Sequence, residues 1–197
     1  NGVPAFIIDC PGLYRRDGGP YLDAAGRDWP DNALRFGLLS KIGAILASDA
    51  SPLAWRPHIA HCNDWQSGLT PAYLHFHPGQ KAMTVMAIHN LAFQGVFPPG
   101  STIQLGLPAA SFDINGVEYY GSMSFLKAGL YYSDHITTVS PTYAREIQAA
   151  PLGFGLQGLL AGRHEHISGI VNGIDTAEWD PATDPCLARN YTAKKLA

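Results

Sequence analysis

Several polar residues in this chain sit directly after short apolar runs, where a side chain has room to do chemistry. Asp64 closes the run His61-Cys62-Asn63-Asp64. A carboxylate there can accept hydrogen bonds from hydroxyl groups or stabilise developing positive charge, and Asp is equally favoured as the N-cap of a following helix. His89 comes straight after an apolar stretch ending at Ile88. Its imidazole can hydrogen-bond a hydroxyl or a phosphate, or serve the structure alone. Neighbouring Asn90 can bind a polyol or close a turn, and Asn172, before Gly173, presents the same two readings. Tyr21 lies in Gly18-Gly19-Pro20-Tyr21-Leu22-Asp23, where an aromatic ring can stack on a base or a sugar or anchor the loop. Trp65 is a sugar platform if exposed and a core residue if not.

Other constellations lead nowhere. His75-Phe76-His77 and His164-Glu165-His166 place histidines two apart, which on a helix point away from each other, and no third ligand has matching spacing. No metal is therefore expected. There is no Gly-x-Ser-x-Gly elbow and no phosphate-binding glycine loop, and Gly153-Phe154-Gly155-Leu156-Gln157-Gly158 follows no clear strand. A net charge of -3 argues against a broad basic surface for nucleic acid. No stretch approaches the roughly 20 apolar residues of a membrane helix, and the start shows no basic region followed by an apolar run. Cys10, Cys62 and Cys186 are odd in number and far apart. Free thiols in a reducing cytoplasm are the simplest expectation.

These residues need a scaffold. Apolar runs at 5–9, 58–61, 83–88, 136–139 and 167–171 read as strands. Helical spacing is expected at 31–47, with Leu34, Leu38, Ile42 and Ile45 along one face, and at 65–75, 122–132 and 156–162. Ser140-Pro141 suits a helix start. Asn115-Gly116 marks a hairpin turn within 112–120, a glycine- and proline-rich loop runs from 11 to about 28, and 191–197 reads as the opening of a helix. The alternation predicts an α/β fold, a Rossmann-like parallel sheet with flanking helices. Ligands in such sheets collect at the carboxyl ends of the strands, and the candidate residues cluster there: after Asp9, at Asn63-Asp64-Trp65, at His89-Asn90 and at Asn172-Gly173.

Read together, these segments resemble a family. His61-Cys62-Asn63-Asp64-Trp65-Gln66-Ser67-Gly68-Leu69 is similar to the His-x-x-Asp-Trp-x-x-Gly-Leu segment of bacterial glycogen and plant starch synthases. Ile88-His89-Asn90-Leu91-Ala92-Phe93-Gln94-Gly95 resembles their His-Asn-Leu-Ala-Tyr/Phe-Gln-Gly motif. Ser124–Leu130, Thr138–Ala144 and Gly169–Asp175, with Trp179 after it, follow in family order. Five such blocks in order over nearly the whole chain are specific.

The resemblance implies a GT-B fold, two Rossmann-like domains with the active site between them. It implies transfer of glucose from ADP-glucose to the non-reducing end of an α-1,4-glucan with retention, without cofactor or metal. Tyr21, Asp64, His89 and Asn172 match positions that line the family's donor-sugar site. His89 would contact the donor glucose, with Asp64 and Asn172 orienting it, Asn90 beside them and Trp65 facing the glucan. The family's N-terminal Lys-x-Gly-Gly-Leu loop and its C-terminal domain do not occur in these 197 residues. Residues 1–197 are therefore expected to be part of the N-terminal domain, inactive alone and partnered by that C-terminal domain. Two alternatives stay open at this point: a non-catalytic glucan-binding domain of the same fold, and a related enzyme using UDP-glucose.

Overall fold

The structure is a computed structural model, and it describes residues 2–195. In chain order, a single helical turn α1 (Pro11–Tyr14) precedes the long helix α2 (Asn32–Leu46). Strand β1 (Ile59–Asn63) runs through a 3-10 turn at Trp65–Ser67 into α3 (Leu69–His75). Strand β2 (Met83–Ile88) is followed by a long excursion containing β3 (Val96–Phe97), α4 (Ser101–Gln104), β4 (Glu118–Tyr119), β5 (Ser122–Ser124) and α5 (Phe125–Tyr132). The chain then returns to the sheet as β6 (His135–Thr138), makes α6 (Pro141–Glu146) and α7 (Gln157–Gly162), and finishes it with β7 (Ile167–Gly169).

The main sheet has the order β1-β2-β6-β7, and every pairing in it is parallel. All four carboxyl ends therefore share one edge. The expected α/β architecture is observed. Apolar clusters pack on the sheet and its helices. One gathers Leu69, Tyr73, Leu74, Met123 and Phe125, the other Met86, Ile88, Leu126, Leu130, Ile136 and Leu160. Each fully buried leucine or isoleucine contributes about 1.5–3 kcal/mol, so the edge carrying the polar residues rests on a well-packed base. At the start of α6, Ser140 Oγ accepts the Tyr143 N–H at 2.9 Å with Pro141 beside it, the cap anticipated from sequence.

Four expectations need correction. Residues 5–9 form no strand. They are irregular and largely exposed, with Ile7 at 90%, and Phe6 stacks on Trp55. Apolar content alone does not make a strand when no neighbouring strand offers a ladder. On α2 the buried positions are Asn32, Arg35, Gly37, Ser40 and Ala44, while Leu34 is 48% exposed. The helix packs through small residues because its neighbours come close: a Cβ on Gly37 would lie 2.7 Å from a Leu105 methyl. Ser40 accepts a hydrogen bond from Thr70 Oγ1 at 3.0 Å.

The hairpin turn falls at Tyr120-Gly121 and not at Asn115-Gly116. Tyr120 (φ 48) and Gly121 (φ 79) both have positive φ, the two-residue arrangement whose twist matches that of paired strands. Asn115 instead follows a local turn in which its N–H donates to Asp113 Oδ1. Finally, residues 192–195 form a tight exposed turn with reciprocal Thr192–Lys195 hydrogen bonds. Of the helix expected over 191–197, positions 196 and 197 lie outside the described residues.

Candidate functional site

The carboxyl edge of the sheet opens beside a cavity of about 1250 Å³. Tyr21, Asp64, Trp65 and Asn90 line it, together with Trp29, Gln66, Phe93, Gln94, Phe97 and Phe154. A concave site rich in aromatics with a few placed polar groups is the usual form of a small-molecule site.

Asp64 is the most unusual residue of this edge. It has φ 54 and ψ -177, a region that costs an ordinary side chain about 1–3 kcal/mol. Its backbone N–H still donates to Ala87 O at 2.9 Å, so one ladder hydrogen bond continues past the end of β1. The carboxylate does not cap the following turn. Instead Asp64 Oδ1 accepts the backbone N–H of His89 at 3.1 Å. Of the two readings open for Asp64, the side-chain cap is not realised. The carboxylate ties the end of β1 to the end of β2.

His89 is exposed at the end of β2, and its Nε2 lies 3.0 Å from Asn63 Oδ1. Asn90 Oδ1 accepts the Ala92 N–H at 3.0 Å, so it closes a turn while also lining the cavity. Trp65 is packed on one side and open to the cavity on another. It packs against Phe36, Tyr21, Phe97 and Phe125 at centroid distances of 4.6–6.3 Å, yet part of it forms the cavity wall. Gly95 has φ +59, and a Cβ there would lie 2.2 Å from the indole. Glycine is required at that turn for the indole to sit where it does.

The Tyr21 loop is held from below by α2. Buried Arg35 donates to Leu13 O at 2.9 Å and to Pro20 O at 2.8 Å, and Asn32 Nδ2 donates to Tyr21 O at 2.9 Å. This explains why α2 buries Asn32 and Arg35. Arg16 pairs with Asp31 at 2.6 Å, and that hydrogen bond holds the Asp31 carboxyl below its ordinary range. From above, Gln66 Nε2 donates to Tyr21 Oη at 2.7 Å. Under the site, burial pushes the Cys62 thiol up to about 11, which makes it an inert core group at neutral pH.

His89 is held beside Asp64 but is not among the residues that line the cavity, and Asn172 is not brought into it either. Asn172 lies exposed, beyond the end of β7. Because the sheet is parallel, the end of β7 that leads to it lies on the same edge, two strand spacings from β2, or roughly 10 Å.

Three amides given no role from the sequence belong with this edge: Asn63 beside His89, and Gln66 and Gln94 in the cavity wall. Gln94 is 7% exposed, donates to Phe154 O at 3.1 Å, and has an Oε1 without a hydrogen-bond partner among the described residues. All three lie inside the two motif runs, so the runs held the signal. No lysine or arginine lines the cavity, while Asp28 and Asp64 do. No group of three or more His, Cys, Asp or Glu suited to a metal occurs among the described residues, and no helix there is long and apolar enough to cross a membrane.

A family model described as "Starch synthase catalytic domain" matches residues 1–162. The chain is 73% identical over 195 residues to a glycogen synthase of Nitrosospira multiformis, covering 99% of this chain and 39% of that protein. It is 57% identical over 196 residues to a glycogen synthase of Aromatoleum aromaticum, covering 100% of this chain and 40% of that one. Among solved structures, the catalytic domain of starch synthase IV from Arabidopsis thaliana bound to ADP and acarbose superposes with a TM-score of 0.69 at 31% identity, over 85% of this chain and 35% of that chain. The chain thus spans about two fifths of the length of the curated relatives it matches.

Proposed function

The chain belongs to the starch synthase catalytic domain family, and from that premise we propose that it supplies the donor-sugar half of a retaining glucosyltransferase site. The protein that carries it transfers glucose from ADP-glucose to the non-reducing end of an α-1,4-glucan. The observation that carries this reading is the bond between adjacent strand ends. Asp64, in a strained backbone conformation, grips the main chain of His89 beside an aromatic cavity. His89 contacts the donor glucose, Asp64 and Asn172 orient it, and Tyr21 and Asn90 line its approach. Trp65 offers its exposed part to the glucan. Stacking of sugar faces on Tyr21, Phe93 and Trp65 suits a neutral, hydroxyl-rich ligand.

Retention follows from a front-face reaction. The bond from glucose C1 to the phosphate oxygen breaks while the acceptor oxygen bonds to C1 on the same face. The acceptor's proton passes to the departing phosphate oxygen. Double displacement would instead need a carboxylate on the opposite face. Asp64 is the candidate, but its Oδ1 already accepts the His89 N–H, which favours an orienting role.

The leaving ADP is a polyanion, and the cavity lining carries two carboxylates and no cation. Preorganised charge is usually the largest contribution to catalysis. Residues outside this cavity lining therefore neutralise the phosphates, and the 197-residue chain alone is inactive. Its three thiols are free, which suits the cytoplasm. The test is incorporation of radiolabelled glucose into glycogen by the full-length protein, with ADP-glucose and UDP-glucose offered separately. Incorporation from ADP-glucose in α-1,4 linkage is expected. No incorporation from either donor would refute the proposal, and incorporation from UDP-glucose alone would reassign the donor.

A further inference from the structure

Successive residues of a strand point to opposite faces. Asn63 and Asp64 escape that rule, because the positive φ of Asp64 turns its side chain out of alternation. Both side chains consequently reach one residue. Asp64 Oδ1 takes the backbone N–H of His89 at 3.1 Å, and Asn63 Oδ1 faces Nε2 of its ring at 3.0 Å. The first contact fixes where His89 sits, and the second sets how its ring is turned.

We propose that Asn63 is a positioning residue: it holds His89 as the Nε2-protonated tautomer and leaves Nδ1 as a hydrogen-bond acceptor for a hydroxyl of the donor sugar. An amide oxygen can only accept, so the ring nitrogen facing it must donate. A neutral imidazole has one N–H, so Nδ1 keeps its lone pair. Asn63 is itself well placed to impose this. It is the last residue of β1, in register with Ala87 of β2, and its carbonyl accepts Ser67 Oγ at 2.9 Å. Its backbone is thus fixed on both sides while its amide projects at the strand end. A ring held this way discriminates among sugar hydroxyls by offering one acceptor at a set angle.

The sugar role of Nδ1 rests on the functional reading above, while the tautomer does not. The experiment therefore has two arms, both on the full-length protein. In the first, nitrogen-15 histidine labelling, with His89→Ala used for assignment, reads the His89 tautomer by NMR. The wild type is expected to show the proton on Nε2, Asn63→Ala a mixture of tautomers, and Asn63→Asp, which keeps an oxygen acceptor, the Nε2 proton again. In the second arm, Asn63→Ala lowers kcat about tenfold, the scale of one hydrogen bond. It causes no further loss when added to His89→Ala, because the two act as one unit. A proton on Nδ1 in the wild type, an unchanged tautomer in Asn63→Ala, or an equal loss in the His89→Ala background would overturn the proposal. Near-wild-type turnover of His89→Ala would overturn the functional reading instead and remove the sugar role of Nδ1. The NMR arm tells the two failures apart.

Discussion

The end of β1 and the segment after β7 both carry residues expected to hold the donor sugar, and they are held in opposite ways. Around Asp64 and His89 the side chains are tied to one another. The Asp64 carboxylate meets the His89 backbone, Asn63 meets the His89 ring, and the indole of Trp65 is wedged among four other aromatic rings. Around Asn172 the chain touches little. The Ile170 N–H donates to Thr138 O at 2.8 Å, but Ile170, Val171 and Ile174 are 60–70% exposed. A site residue fixed by its own neighbours is preorganised before any ligand arrives. A residue on a loosely held segment takes its position from other contacts. The two halves of the proposed site should therefore respond differently to mutation.

The largest expected difference is in turnover. In the full-length protein, Asp64→Ala should lower kcat by about 10²-fold or more, as removal of a preorganised polar group does. Asn172→Ala should cost about tenfold, on the scale of a single hydrogen bond. Steady-state kinetics with ADP-glucose and glycogen measures both. Equal losses would erase the contrast between the two regions.

Stability should separate the regions next. Trp65→Ala is expected to cost about 3 kcal/mol, because it empties an aromatic cluster joining both cores. Trp179→Ala, at a position 64% exposed, should change stability by less than about 0.5 kcal/mol. Urea titrations of the two variants give the comparison directly. A similar logic applies to the glycines. Gly95→Ala meets both a positive φ and the Trp65 indole and should cost about 1–3 kcal/mol. Gly173→Ala meets nothing within 4 Å and should be nearly neutral.

Much of this arrangement was legible in the sequence, and the misses have physical causes. The strand at 83–88 and the helix start at Ser140-Pro141 were readable because periodicity and capping are local. Asp64, His89 and Asn90 stood out because they directly follow apolar strands. The misassigned face of α2 came from treating burial as hydrophobicity. A helix that packs closely buries glycine, serine and alanine, and here also the Arg35 and Asn32 that hold the Tyr21 loop. The run 5–9 failed because a strand depends on a neighbour that local sequence does not reveal. Gln66 and Gln94 were passed over, and Asn63 was named only as part of its strand end, because only their partners in space show what these amides do.

The smallest contrast is chemical. At pH 8, Cys62 is buried, with its thiol near 11, and should resist a thiol reagent such as iodoacetamide until the chain is unfolded. Exposed Cys186 should be modified promptly. Burial shifts the Cys62 titration upward because it penalises the thiolate, so protection should persist at least to pH 9. Mass spectrometry of peptides from native and denatured protein reads both sites. Rapid native labelling of Cys62 would mean that the base beneath Asp64 is open, against the picture of a fixed wall.

The central claim is that the linked strand ends at Asp64 and His89 form a donor-sugar site, and one measurement addresses it most directly. Full-length wild-type and His89→Ala proteins are compared for incorporation of radiolabelled glucose from ADP-glucose into glycogen, with thermal unfolding recorded alongside. Because His89 is exposed and its backbone N–H remains to meet Asp64, the variant should melt within a degree or two of the wild type. Incorporation should fall by about 10²-fold or more. A variant that folds and incorporates glucose at a rate near that of the wild type would contradict the account.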